Sequence, residues 1–308
     1  MSAAQASALR ADLTLTLPFR APYDWARLLR FLAGRAIPGV EAVEDGAYRR
    51  VIDYRGESGL LTVRRHPRRA CLLAHLEGGV ARVADHALAA RLGVMFDVDA
   101  DPAAIGASLS RDAWLAPLVA AAPGLRVPGT WSAFELVVRA IVGQQVSVKA
   151  ATTIAGRLVE RAGERLAGGA TGWRFPTPAA LAACDLVKIG MPGKRVAALQ
   201  GVAQAIATDA VPLDAEGAAP ADLRAALLAL PGIGPWTVEY IAMRAWRDAD
   251  AWPATDLVLM QAIAARDPAL DRAPRQRART DAWRPWRAYA AMHLWNEIAD
   301  RAGGARGG

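Results

Sequence analysis

The residues of this chain best placed to do chemistry lie between positions 230 and 256. The stretch LPGIGPWTVEYIAMRAW (230–246) sets Pro231, Gly232, Ile233, Gly234 and Pro235 between two helical patterns and follows them with Trp236 and Tyr240. Glycines permit positive φ and close backbone approach, and Pro235 suits the first position of a new helix. The spacing predicts a helix, tight turn and helix over about 222–246, with backbone amides of Gly232, Ile233 and Gly234 turned outward to bind an anion such as a DNA phosphate. The same pattern serves equally to do no more than reverse the chain. Trp236 and Tyr240, four residues apart, share a helix face, and Met243 and Trp246 roughly continue it. Such a stripe belongs to a core, or, directly beyond a phosphate-binding turn, to a nucleotide pocket. Downstream, AWPATDLVLMQAIAA (251–265) opens an apolar helix on Asp256. Aspartate is a preferred N-cap, and that role agrees with a chemical one: the first-turn amides keep the carboxylate ionised and fix its direction.

These residues need a scaffold, and the rest of the chain is built to supply one. Its 308 residues are 53% apolar and 22% charged, enough to bury a sizeable core and too apolar to be disordered. The net charge of +7 favours a polyanionic partner. Only Lys149, Lys188 and Lys194 are lysines, so a mechanism that needs an amine has three candidates. Lys194 and Arg195 follow Pro192 at a further predicted helix start and suit either a phosphate contact or a solvated surface. Cys71 and Cys184 match no metal or disulfide pattern, and the four histidines have no zinc spacing. With no apolar run long enough for a bilayer and no secretory leader, a cytoplasmic protein is expected.

Along the chain, residues 1–12 read as a loose tail. LTLTL (13–17) alternates as a strand does, PYDWARLLRFLAGRA (22–36) has helical spacing, and YRRVIDY, GLLTVRR and ACLLAHLEGG are three short strand-like runs. Residues 13–96 are thus expected to form a mixed domain with an antiparallel sheet. From residue 97 to 300, Ala- and Leu-rich segments separated by Pro and Gly predict an all-α region, with RAGGARGG (301–308) as a disordered tail. Ser132 and Glu135 read as a capping box opening the helix that carries AFELVVRAIVGQQVSVKAATTIAGRLVE.

LPGIGPWT followed by an Asp some twenty residues on resembles the helix–hairpin–helix superfamily of base-excision DNA glycosylases. With PYDWARLLRFLAGRAIPGVE, RVPGTWSAFELVVRAIVGQQVSV, FPTPAALAA, IGMPGKRVAAL and WRPWRAYAAMHLW in order, the chain resembles the DNA-3-methyladenine glycosylase II (AlkA-type) family over nearly its whole length. The resemblance implies an α+β chain: a TATA-binding-protein-like α/β N-terminal domain, then two helical subdomains with the active site between them. It implies Asp256 as the catalytic carboxylate and Trp236, Tyr240 and Trp295 as the base pocket; His293, in the same helix as Trp295, reads as structural. It places the carbonyls of Leu228, Leu230 and Ile233 where a monovalent cation can sit near the DNA phosphate, with no cofactor required. The implied partner is double-stranded DNA carrying alkylated bases, met by a nucleoid-associated monomer.

The chemistry suits these residue types. A flipped base costs a few kcal/mol to extrude, less for a damaged pair. An alkylated purine is cationic and a good leaving group, so it needs an electron-rich slot and an anion beside the oxocarbenium-like sugar more than it needs a general acid. Relatives that cleave the strand carry a lysine where this chain has Trp236, so a monofunctional enzyme is expected. The alternatives are a glycosylase with lyase activity for oxidised or mismatched bases and a DNA-binding module that uses the hairpin only as an anchor. Two departures stand out. Gln145 occupies the position of a leucine wedge, where it can fill the gap left by the flipped base or serve as a helix-end residue. Thr255 replaces an acidic residue that can precede the catalytic Asp.

Overall fold

The computed structural model describes residues 12–166, 172–213 and 220–304. Strands β1 (Asp12–Pro18), β2 (Glu41–Glu44), β3 (Ala47–Tyr54), β4 (Glu57–Arg65) and β5 (Cys71–Gly78) form one antiparallel sheet in the order β1-β5-β4-β3-β2. Two of its hairpins turn on residue pairs with positive φ, Asp45-Gly46 and Arg55-Gly56, the geometry that matches the twist of the flanking strands. The register pairs Leu17 with Leu72, Leu61 with Leu76 and Val63 with Ala74, which gathers apolar side chains on one face. Helix α1 (Trp25–Ala33) lays Trp25, Leu28, Leu29 and Leu32 against that face and is capped by Asp24, whose carboxylate accepts the Arg27 amide at 3.0 Å. Short helix α2 (Gly79–Arg82) and helix α3 (His86–Met95) complete this core. β2 is not among the expected strands, because its four residues EAVE hold too little alternation to read. On the open face the register brings ligand-type atoms of Asp12, His75 and Glu77 within 4.8 Å of one another, a grouping that the histidine spacing does not reveal.

The remainder is helical: α4 (Pro102–Leu109), α5 (Ala116–Ala121), α6 (Ala133–Val142), α7 (Val148–Ala162), α8 (Pro178–Ala183), α9 (Gly193–Ala207), α10 (Pro220–Leu228), α11 (Pro235–Arg244), α12 (Leu257–Ala264), α13 (Ala273–Asp281) and α14 (Arg287–Gly304). Four expectations need correction here. A two-residue ladder, β6 (Glu164–Arg165) with β7 (Trp173–Arg174), interrupts the all-α region. The long helix expected around Gln145 is two helices, since Gly143 ends α6 and the Ser147 hydroxyl caps α7 by accepting the Ala150 amide at 3.2 Å. Only half of the capping box forms: Ser132 accepts the Glu135 amide at 3.4 Å, while the Glu135 carboxylate turns to Arg50 and Arg139. At the C-terminus α14 runs on to Gly304, into the expected tail; residues 305–308 and 1–11 lie outside the described residues.

Two apolar clusters fill the helical part, and α11 touches both. Val238 and Ile241 belong to the cluster built on α6, α7 and α9, whereas Ala242 and Met243 belong to the one built on α4, α12 and α14. α11 thus spans the boundary between the two clusters. Asp97, just beyond α3, is fully buried and accepts the Val127 amide at 2.9 Å and the Tyr289 hydroxyl at 3.0 Å, joining the sheet unit to α14.

Candidate active site

Asp256 caps α12 as the sequence leads one to expect: its Oδ1 accepts the Leu259 amide at 3.0 Å. The carboxylate has two further partners. Oδ1 also accepts the indole N–H of Trp295, and Oδ2 accepts that of Trp236, each at 3.0 Å. All three donors are neutral, and among the described residues Asp256 forms no ion pair. The rings of Trp236 and Tyr240 stack with centroids 5.1 Å apart and planes 10° apart, and Trp295 meets Tyr240 edge-on at 6.3 Å. The three rings and the carboxylate are half-buried, so the cluster lines a surface and is not sealed within the core. The stripe that begins with these rings turns inward: Met243 is 1% exposed and packs in the core.

The back of the cluster is cationic. The Arg244 guanidinium donates to the Tyr240 hydroxyl at 2.7 Å and to the carbonyls of Pro128 and Gly129 at 2.8 and 3.0 Å, which ties the pocket to the segment before α6. Burial would raise the Tyr240 hydroxyl above its ordinary pKa, but Arg244 and Arg35 together pull it below. Arg35 lies beyond the end of α1 and stacks on Phe31, 3.8 Å from its centroid, while Arg244 approaches the same ring at 4.9 Å. The sheet unit thus contributes to the wall behind the pocket. Sequence reasoning missed Arg35, Phe31 and Arg244; the signals were two pairs four apart, Phe31 with Arg35 and Tyr240 with Arg244.

The hairpin takes the predicted helix–turn–helix form, but the Ile233 amide, expected to face outward, is bonded within the turn. Gly232 has φ +85°, and a Cβ there would lie 2.6 Å from the Ala198 side chain on α9, so both conformation and space require glycine. The Ile233 amide closes the turn on the Leu230 carbonyl at 3.1 Å. Gly234 is the N-cap of α11, and no side chain caps that helix; the first turn of α9 is likewise without a side-chain cap and carries exposed Lys194 and half-buried Arg195. Uncapped amides at two adjacent helix starts leave donors for anions. Gln145 sits exposed in the loop between α6 and α7 with φ +58°, and its neighbour Gln144 donates to the Gly232 carbonyl at 3.0 Å. Gln145 is therefore a loop-tip residue beside the hairpin and not a helix-end residue. A separate cavity of about 540 Å³, lined by Arg50, Trp131, Phe134, Glu135, Phe175 and Val211 among others, is lined by none of these site residues, and its two buried charges pair with each other at 2.8 Å.

Comparisons with known proteins bear on the family and the fold. Residues 14–132 match the AlkA N-terminal domain family, and residues 138–288 match the HhH-GPD superfamily of base excision DNA repair proteins. The chain is 38% identical to DNA-3-methyladenine glycosylase 2 of Escherichia coli over 286 residues, 91% of this chain and 96% of the relative. It is 39% identical over 300 residues to a probable bifunctional transcriptional activator/DNA repair enzyme AlkA of Mycobacterium tuberculosis, covering 95% of this chain but only 58% of that longer protein. Among solved structures, a 3-methyladenine DNA-glycosylase from Archaeoglobus fulgidus superposes with a TM-score of 0.76 at 19% identity, over 93% of this chain and 98% of the other, which shows a shared fold.

Proposed function

The chain belongs to the DNA-3-methyladenine glycosylase II family of helix–hairpin–helix base-excision proteins, and from that premise we propose that it hydrolyses the N-glycosidic bond of alkylated bases, 3-methyladenine and 7-methylguanine among them, in double-stranded DNA. The observation that carries this reading is a carboxylate held by neutral indole N–H groups beside stacked rings. An alkylated purine is cationic, and the electron-rich faces of Trp236, Tyr240 and Trp295 attract it by about 0.5–2 kcal/mol per contact. When the glycosidic bond breaks, its electron pair leaves with the base and neutralises it. Positive charge then develops on the sugar, where Asp256 stabilises it. Water adds to C1′ and loses a proton, leaving an abasic site.

In this reading the amides of Gly232 and Gly234, with Lys194 and Arg195, hold the phosphate backbone, the Ile233 amide being taken up within the turn, and Gln145 fills the gap beside the extruded nucleotide. The carbonyls of Leu228, Leu230 and Ile233 would hold a monovalent cation; the Leu230 carbonyl, although it accepts the Ile233 amide, keeps a second lone pair for it. One protein molecule meets one lesion. The enzyme is monofunctional, since Trp236 stands in the place of an amine nucleophile. The test is incubation with methylated duplex DNA. Free methylated purines are expected, with strands uncut until heated in alkali and no covalent adduct on borohydride treatment. Absence of free base overturns the reading, and a trapped adduct overturns its monofunctional part.

A further inference from the structure

Helix α12 begins on Asp256, and the residues after it depart from the ordinary composition of a helix start. Solvent-facing first-turn positions favour acidic side chains, which the helix dipole stabilises. Here Leu257 and Val258 follow, 63% and 36% exposed. Leu259 supplies the core contact of this turn, at 0% exposure, and also the amide that holds Asp256 Oδ1. Leu257 therefore contributes little to folding, and it leaves a large apolar side chain in water on the residue next to Asp256. On the other side Ala254 and Thr255 are exposed but small.

Consecutive Cα atoms are about 3.8 Å apart, so a sugar placed over Asp256 lies within reach of the Leu257 side chain. We propose that Leu257 is a substrate-contacting residue: it packs on the deoxyribose of the extruded nucleotide and excludes bulk water from the space between that sugar and the Asp256 carboxylate. The proposal rests on the glycosylase reading above and deepens it. Attraction between a carboxylate and a developing sugar cation is roughly four times weaker in bulk water than at the effective dielectric of a protein surface. A polar residue would bring its own hydration to that gap, and an acid would in addition repel the phosphates that flank the nucleotide. Leucine does neither, and it cannot compete with the indoles for the carboxylate.

The experiment uses the full chain with Leu257→Ala, Leu257→Asn and Leu257→Met. Single-turnover release of 7-methylguanine is measured at saturating enzyme, alongside affinity for a duplex carrying a cationic pyrrolidine abasic analogue, affinity for undamaged duplex, and thermal unfolding. Alanine should slow release about tenfold and weaken the pyrrolidine complex by a similar factor, in line with the loss of methyl and methylene contacts. Asparagine should be at least as damaging, and methionine should stay within about twofold of the parent because it restores the apolar contact. Undamaged-duplex affinity and melting temperature should not move. Parental release rates in both the Ala and Asn variants overturn the proposal, as does an equal loss of affinity for undamaged DNA, which would make Leu257 a general DNA contact. If the parent releases no base from any methylated duplex, the glycosylase reading fails and Leu257 loses its role with it; an active parent with an insensitive position 257 overturns this proposal alone.

Discussion

Asp256 and Glu135 are both carboxylates that receive several hydrogen bonds, yet they are built for opposite purposes. Glu135 is 2% exposed and lies between Arg50 at 2.8 Å and Arg139 at 2.6 Å. Burial alone would raise its pKa, but the two guanidinium groups drive it well below the ordinary carboxylate range. Its charge is cancelled where it stands, and the result is a clamp between strand β3 and helix α6. Asp256 is half-buried and receives only neutral donors, two indoles and one amide. These fix its direction without cancelling its charge. A carboxylate held in that way remains able to attract a cation that arrives later, and that is the physical difference between the scaffold acid and the acid proposed to act in the site.

Removing each acid in turn tests the distinction. Glu135→Gln leaves buried Arg50 and half-buried Arg139 short of a counter-charge and should cost about 3–5 kcal/mol in urea unfolding, while the folded fraction still releases base at nearly the parental rate. Lost activity with retained stability would show that Glu135 is not merely scaffold. Asp256→Asn should do the reverse. Asparagine caps a helix about as well as aspartate, so stability should change by less than about 1 kcal/mol, but base release should fall about 10²–10³-fold, as when a transition-state stabiliser is removed. Near-parental release would move the catalytic role to another group.

His293, two residues before Trp295, asks whether the helix behind the site is itself scaffold. Burial, and then the nearby charge of Arg27, lower its pKa from the ordinary 6.5 to about 4. The unfolded chain therefore takes up this proton first, so stability is complete above pH 6.5 and is lost as pH falls toward 4; at pH 5 the loss is about 2 kcal/mol. His293→Gln should remove that part of the acid sensitivity in unfolding titrations between pH 7 and 5. An unchanged pH profile would mean that the imidazole is already solvated.

The smallest expected effect separates the two roles of one indole. Trp236→Phe keeps a ring to stack on Tyr240 but deletes the N–H that Asp256 Oδ2 accepts, and it should slow release about tenfold, the worth of one hydrogen bond to a charged group. Trp236→Ala removes both and should slow it further. Equal rates for the Phe variant and the parent would show that the Trp295 indole and the Leu259 amide suffice to orient the carboxylate.

Much of this architecture is legible in the order of the residues, and what is legible is local. Asp256 before an apolar run announces an N-cap, Gly232 and Gly234 between prolines announce a tight hairpin, and alternating apolar residues announce β1, β3, β4 and β5. Each of these signals acts within a few residues, through φ, a cap or a side-chain period, so near neighbours in the chain are enough to determine it. The family resemblance, likewise carried by ordered segments, extends that knowledge to Trp295. The partners of these groups are a different matter. Trp236 and Trp295 reach Asp256 across 20 and 39 positions, Arg50 reaches Glu135 across 85, and Arg244 reaches Pro128 across 116. The break at Gln145 and the strand β2 lie between these cases, since weak local preferences there are settled by the elements that pack beside them. No periodicity encodes a contact over such separations, because it depends on how two apolar clusters close around α11 and which polar groups are left facing each other when they do. The sequence by itself determined that a carboxylate would cap α12 and that rings would follow the hairpin. Only tertiary packing decided that the donors to that carboxylate would be neutral, and so left its charge free to act.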